Sequence, residues 1–373
     1  MTKIGITGQG GFVGTHLYNT LQLQPDSYEL IAFDKSFFNQ SSQLDAFVAN
    51  CDVIVHLAAM NRHPDAQVIY DTNLVLVTQL IDSLERSGST AYVLMSSSTQ
   101  EEQDNLYGQS KKEGRQQLEN WSRRSNGSFT GLIIPNVFGP FGKPDYNSVV
   151  ATFCHKLTCD EDPQIHQDGQ LKLIYVGELV EEIISLIDLR PIKNYIEQIN
   201  PTSEVKVSEL LVMLNRYKSD YYQKGIIPPL DSTFEVNLFN TFRSFIDPST
   251  HFPVRFNQHH DTRGTFVEVI RLNVGGQVSF STTVPGITRG NHFHTRKIER
   301  FSVIKGKARI QLRKIGTSEV LDIELSGSEA GYVDMPIWFT HNITNTGNED
   351  LYTIFWINEF YNPEDADTYF EEV

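Results

Sequence analysis

Residues 1–17 read MTKIGITGQGGFVGTHL, and this stretch decides the fold. A short apolar run ends at Gly8, and Gly11 and Gly14 complete a G-x-x-G-x-x-G pattern where an amphipathic segment begins. Glycines let the backbone turn sharply and approach a pyrophosphate. The opening turn of a helix adds amide donors and a favourable dipole. The reading is strand, phosphate-binding turn, helix, with Gly8, Gly11, Phe12, Val13 and Gly14 as candidate dinucleotide contacts.

Outward from that turn, KIGITG, YELIAFD, CDVIVHLA, TAYVLMSSS and FTGLIIPNVFG are short β-rich runs, with helical periods between them at 13–23, 72–86 and 108–122. Strand–helix alternation implies an α/β parallel sheet, doubly wound, with helices on both faces. Asp34 ends IAFDK twenty residues past Gly14. An acid there suits the ribose of NADH, and Lys35 beside it offsets the repulsion of the extra phosphate of NADPH. The small residues of HLAA (56–59) let a cofactor pack close, which adds Leu57 and Ala58 to the candidates.

The pattern becomes mostly helical from 175 to 215, completing the same domain, and Pro-rich composition follows at 226–253. Beyond it, short alternating runs separated by Gly, Asn and Ser turns predict an all-β sandwich or barrel. The expected domains are 1–245 and 246–373, in keeping with a length of 373 residues. A net charge of −15 argues against nucleic acid and anionic membranes as partners. No apolar run reaches the roughly 18 residues that span a bilayer. The N-terminus enters a strand pattern without a charged leader, and Cys51, Cys154 and Cys159 lack zinc or redox spacing. The expectation is a cytoplasmic protein with reduced thiols.

YGQSK places Tyr107 and Lys111 four apart, hence on one helix face. An ammonium beside a phenol favours the phenolate and lowers its pKa, so that tyrosine exchanges a proton with a sugar oxygen while hydride moves. The SSS run at 96–98 ends a strand just upstream, and Ser98, in preference to Ser97, is the candidate donor to the reacting carbonyl. Together these residues resemble the extended short-chain dehydrogenase/reductase family, which works on nucleotide sugars. The resemblance spans roughly 1–240 and includes HLAA, Asn73, PNVFGP (135–140) and LIYVGELVEEI (173–183). It implies that Asn136 contacts the nucleotide sugar.

GNHFHTRKIER (290–300) carries a second chemistry. His292, His294 and Glu299, framed by Gly286 and Gly306, fit G-x5-H-x-H-x4-E-x6-G, and His341 lies in MPIWFTHNITN. Strand alternation sends His292 and His294 to one face. Three imidazoles and a carboxylate suit Zn²⁺ or another divalent metal. The pattern resembles the cupin (jelly-roll) family. Pro336, His341 and Asn345 match its second motif, while Trp338 replaces the glycine, a change expected to tighten the pocket. DTRGTF (261–266) and RGNHFH (289–294) resemble the deoxysugar 3,5-epimerase branch, where the histidine matching His292 is a metal-free base. A metal-bound His292 cannot readily serve so, and the base stays open.

With KPDYNSVVATFCHKL (143–157) and GITRGNHFH (286–294), the reductase–cupin order resembles the CapF-type family of capsular polysaccharide synthesis enzymes over nearly the full chain. That resemblance implies a homodimeric, bifunctional enzyme for a UDP-linked 4-keto-6-deoxy amino sugar. The cupin epimerises C3 and the N-terminal domain reduces C4 with NADPH. The product implied is UDP-2-acetamido-2,6-dideoxy-β-L-talose, a precursor of N-acetyl-L-fucosamine. Rival readings are a UDP-sugar 4-epimerase or dehydratase with a structural metal barrel, a redox-sensing binding protein, and an oxygenase.

Overall fold

The chain is described from a computed structural model over residues 1–191, 194–262 and 264–373. Of the DTRGTF motif, Arg263 and the side chains at 261 and 264–266 lie outside the described residues.

Alternation between two cores organises the first unit. Six parallel strands stand in the order Tyr28–Ile31, Thr2–Thr7, Val53–His56, Tyr92–Ser98, Ser128–Ile134, Tyr195–Gln198. Ile4, Ile6, Val53, Val55 and Leu94 face one core with Leu17 of helix Phe12–Gln22 and Leu179 of helix Val176–Leu189. Their neighbours Ile54, Val93 and Met95 face the other, with Val77 and Leu80 of helix Ala66–Ser87 and Trp121 of helix Leu106–Arg124. A side chain of this kind stabilises by about 1.5–3 kcal/mol when fully buried, and burial on both faces makes the runs nearly all apolar. The second strand is shorter than the YELIAFD run, because Asp34 accepts from the Ser36 N–H at 2.8 Å and starts a tight turn at Lys35–Asn39. Strand order reverses between Thr2–Thr7 and Val53–His56, and ligands of such sheets bind at the carboxyl ends there.

The second unit is built on two five-stranded antiparallel sheets. One runs Val254–Arg255, Gly331–Met335, Glu299–Lys305, Leu351–Ile357, Gln277–Thr283. The other runs Val320–Ser326, Lys307–Lys314, Phe339–Asn345, Thr288–Phe293, Tyr369–Phe370. Val303, Val333 and Met335 of the first share a core with Ile310, Leu312, Ile323 and Ile343 of the second.

By contacts, Met1–Thr152 and Asp168–Val207 form one compact unit, Phe153–Gln167 and Ser208–Val373 the other. This division differs from the compositional boundary near 246. The reason is a buried polar network between the helical segment after 208 and the strands. Arg300 and Asp334, both fully buried, pair at 2.7 and 2.9 Å. The Tyr221 hydroxyl donates to Asp334 at 2.6 Å, Arg300 donates to Gly225 O at 2.8 Å, and Arg243 donates to Met335 O at 2.9 Å. Among the described residues no helix is long and apolar enough to cross a membrane.

Removing one partner from a buried ion pair strands the other. Asp334→Asn should therefore cost about 3–5 kcal/mol in urea unfolding. Asp45→Asn, at the exposed Arg86–Asp45 pair, should leave the midpoint almost unchanged. Equal effects would contradict the network's role.

Candidate functional site

At the switch point, Gly8 has φ +78° and a side-chain carbon there would lie 2.7 Å from Ala58 N. The glycine turn thus rests directly on HLAA. Thr7 Oγ1 meets His56 Nδ1 at 2.7 Å and accepts from Ala58 N–H at 3.4 Å, tying the two strand ends together. Gly11 N–H donates to Gly8 O at 2.9 Å, and no side chain caps the helix that follows. Its first-turn amides are available to an anion. Gly8, Gly11, Gly14 and Ala58 come together here. Val13 and Leu57 pack against the core, and Phe12 meets His16 edge-on at 5.5 Å. Asp34 and Lys35 are exposed, just past the strand whose Ile31 pairs with Gly5. Hydrogen bonds from Ser36 hold the Asp34 carboxyl below its ordinary range.

The second group sits where strand Tyr92–Ser98 meets helix Leu106–Arg124. Gly108 makes this possible, since any side chain there would strike Gln100 O at 2.0 Å. Alternation puts Ser96 and Ser98 on one face and Ser97 on the other. Ser97 donates to Glu101, whose carboxylate is gripped by Arg115 at 2.7 and 2.9 Å. Ser98 accepts from Gln100 N–H at 3.2 Å, which leaves its own proton free to donate. The Lys111 ammonium donates to Ser96 Oγ at 3.5 Å, a contact that spacing alone does not disclose.

Burial governs both ionisable groups. It pushes Lys111 down to about 8, against the pull of Glu101. It pushes the Tyr107 phenol up to about 12, with Tyr146 adding to the rise. The expected lowering by Lys111 is therefore corrected: the ammonium turns to Ser96, and loss of water raises the phenol instead. A phenol that keeps its proton at neutral pH is a proton donor. Asn136 is exposed at the start of strand Asn136–Phe138. Asn73 is buried and structural, bonded to Met60 N–H at 2.7 Å and to Ser110 Oγ at 3.0 Å.

In the second unit, His292 pairs across strands with His341, His294 follows one residue past the strand end, and Glu299 opens a strand of the facing sheet. Their donor atoms all lie within 4.8 Å of one another. Glu299 Oε2 is 3.0 Å from His294 Nε2 and 3.3 Å from His341 Nε2. Each ring also commits a nitrogen to backbone: His294 Nδ1 donates to Asp367 O at 2.5 Å, His341 Nδ1 to Phe339 O at 3.2 Å, and His292 to Gly290. Such partners fix the tautomer and aim the other nitrogen at the centre. Donor type, number and outer partners fit a divalent ion such as Zn²⁺.

Burial, then the two neighbouring histidines, push His292 down to about 4. Burial works against charge on His294 too, but the bond to Glu299 and its charge win and raise it. Glu299 falls below the carboxylate range despite burial, because His294 and His341 hold it. Trp338 takes φ +61°, the backbone shape a glycine would favour, and its N–H donates to His294 O at 2.8 Å. Its ring stacks on Phe293 at 5.5 Å, on the strand face opposite His292. Thus Trp338 braces the strand from outside, where the sequence suggested a tighter pocket. Asn345 is a staple, donating to Thr283 O at 2.7 Å and Glu349 O at 2.8 Å. Asp367 and the Glu101–Arg115 pair were invisible to sequence spacing, because their partners are set by the fold.

A metal ligand must give up its proton, and Glu299 favours the protonated form of His294. Titrating Zn²⁺ into metal-free protein near pH 7 should release protons, read by calorimetry in buffers of different ionisation enthalpy. Affinity should fall as pH is lowered. Heat independent of buffer would contradict this.

Residues 4–191 match the NAD dependent epimerase/dehydratase family, and residues 259–369 the polysaccharide biosynthesis C-terminal domain. The chain is 33% identical to a UDP-2-acetamido-2,6-β-L-arabino-hexul-4-ose reductase of Pseudomonas aeruginosa, over 98% of each chain. The crystal structure of the capsular polysaccharide assembling protein CapF from Staphylococcus aureus is similar over 100% of both chains, at 35% identity and a TM-score of 0.63. A UDP-glucose 4-epimerase from Thermotoga maritima shares the fold over 65% of this chain and 98% of its own, at 19% identity and a TM-score of 0.56. With both halves matched in the same order along the whole length, the chain belongs to the CapF-type family of capsular polysaccharide synthesis enzymes and, through its first half, to the NAD dependent epimerase/dehydratase family.

Proposed function

We propose that the chain is a bifunctional enzyme acting on a UDP-linked 4-keto-2-acetamido-2,6-dideoxyhexose. Its second unit, a cupin, epimerises C3, and its first unit reduces C4 with NADPH, or less readily NADH. The order follows from the substrate: a ketone at C4 acidifies the proton at C3, and reduction removes that ketone. The product is UDP-2-acetamido-2,6-dideoxy-β-L-talose.

One observation carries the reductive step. Tyr107, protonated at neutral pH, lies in the first turn of the helix that packs on strand Tyr92–Ser98, whose last residue, Ser98, has its own proton to give. Ser98 donates to the C4 carbonyl and orients it. Tyr107 then delivers its proton to the C4 oxygen as hydride reaches C4, and the Lys111 ammonium steadies the phenolate left behind. Gly8, Gly11 and the first helix turn hold the pyrophosphate, Asp34 and Lys35 flank the ribose, and Asn136 meets the nucleotide sugar. In the second unit His292, His294, Glu299 and His341 hold the divalent ion. When bound, it supplies a Lewis acid for an enolate oxygen. The name of the Pseudomonas aeruginosa relative, a reductase of a hexul-4-ose, supports a C4 ketone as the reducible group. A homodimer accords with Val278 and Phe280, 58% and 71% exposed on the edge strand Gln277–Thr283.

Tyr107→Phe should slow nicotinamide oxidation by about 10²–10⁴-fold and leave deuterium exchange at C3 intact. Loss of both together would contradict the division of labour. In the unmodified enzyme, reduction should decline as pH rises through about 8, where Lys111 loses its charge. Lys111→Arg should abolish that decline, and a decline that persists in this variant would assign it to another group.

A further inference from the structure

We propose that Asp367 is a positioning residue of the metal centre: its carboxylate clamps the turn between two ligands while its carbonyl holds one of them. This rests on reading His292, His294, Glu299 and His341 as a metal site. Asp367 is 5% exposed and takes φ +40°. Its carboxylate accepts from Thr295 N–H at 3.0 Å, Thr295 Oγ1 at 2.6 Å, Arg296 N–H at 3.0 Å and Lys297 N–H at 2.8 Å. These residues link His294 to Glu299. Its carbonyl accepts the His294 Nδ1 proton at 2.5 Å.

The segment around Asp367 is anchored on the same strand. Tyr369 and Phe370 pair with Phe293 and His292, and Tyr369 stacks on Phe293 at 5.4 Å. One carboxylate therefore satisfies three consecutive backbone donors that would otherwise lose their acceptor. Backbone donors left without an acceptor are costly, so the turn would move to find others. A turn that moves carries His294 away from Glu299. Outer partners of metal ligands act in this way, by orienting them.

The test uses full-length protein and Zn²⁺ alone, with affinity measured against a chromophoric chelator. Asp367→Asn suits the left-handed backbone but turns an amide donor toward backbone donors. It should weaken Zn²⁺ binding by about 10–100-fold. Thr295→Val should give a smaller loss in the same direction, and Asp365→Asn, on an exposed neighbour, none. In metal-free Asp367→Asn the His294 Nδ1 proton should lose its protection from exchange while the amides of Val303, Ile310 and Ile343 keep theirs, which separates positioning from general unfolding. Equal affinity in Asp367→Asn and unmodified protein would overturn the role of Asp367. An equal loss in Asp365→Asn would do so too. No Zn²⁺ binding by the unmodified protein would instead overturn the metal reading itself.

Discussion

A carboxylate taken out of water must meet a cation or a set of donors, because its desolvation costs several kcal/mol. Four such groups organise this chain. Asp334 meets Arg300 and Tyr221, and so joins the helical segment after 208 to the sheets. Glu101 meets Arg115 and Ser97 beneath the turn that carries Ser98. Glu299 meets His294 and His341, and Asp367 meets the backbone of 295–297. Each solution fixes a piece of backbone that apolar packing alone would leave adjustable.

The same exclusion of water sets the chemistry. In the first unit it keeps the Tyr107 phenol protonated and makes the Lys111 charge costly, so the site is prepared to give a proton. In the second it leaves His292 neutral, while the bond to Glu299 favours the protonated form of His294 against burial. The two sites thus treat their protons differently, because in one a carboxylate meets imidazoles and in the other burial acts on a phenol and on an ammonium that turns to Ser96.

Local spacing made much of this legible. The glycine triplet, the Tyr–Lys pair and the His-x-His pattern each depend on the geometry of a single strand or helix turn, which sequence encodes directly. The alternation of short β-rich runs with helical periods likewise announced a parallel sheet with helices on both faces. What stayed hidden depends on contacts across the fold. Asp367 lies 73 residues from His294, the ring its carbonyl holds. The direction of the Tyr107 shift follows from burial, which a four-residue spacing does not reveal. Trp338 read as a lost glycine, yet its ring pays for an unusual backbone shape by stacking on Phe293. The compositional change near 246 marked where helices give way to strands, whereas contacts divide the chain earlier because Tyr221 and Arg243 reach the strands.

The central claim is that a proton at C3 and a hydride at C4 are handled by different units of one chain. The most direct measurement is NMR of a 4-keto-6-deoxy UDP-N-acetylhexosamine incubated with the purified protein in heavy water, first alone and then with NADPH. The account predicts deuterium at C3 before any reductant is present, followed by conversion to a C4 alcohol as the nicotinamide is oxidised. A ketosugar that stays unlabelled and unreduced, with its NADPH intact, would contradict it.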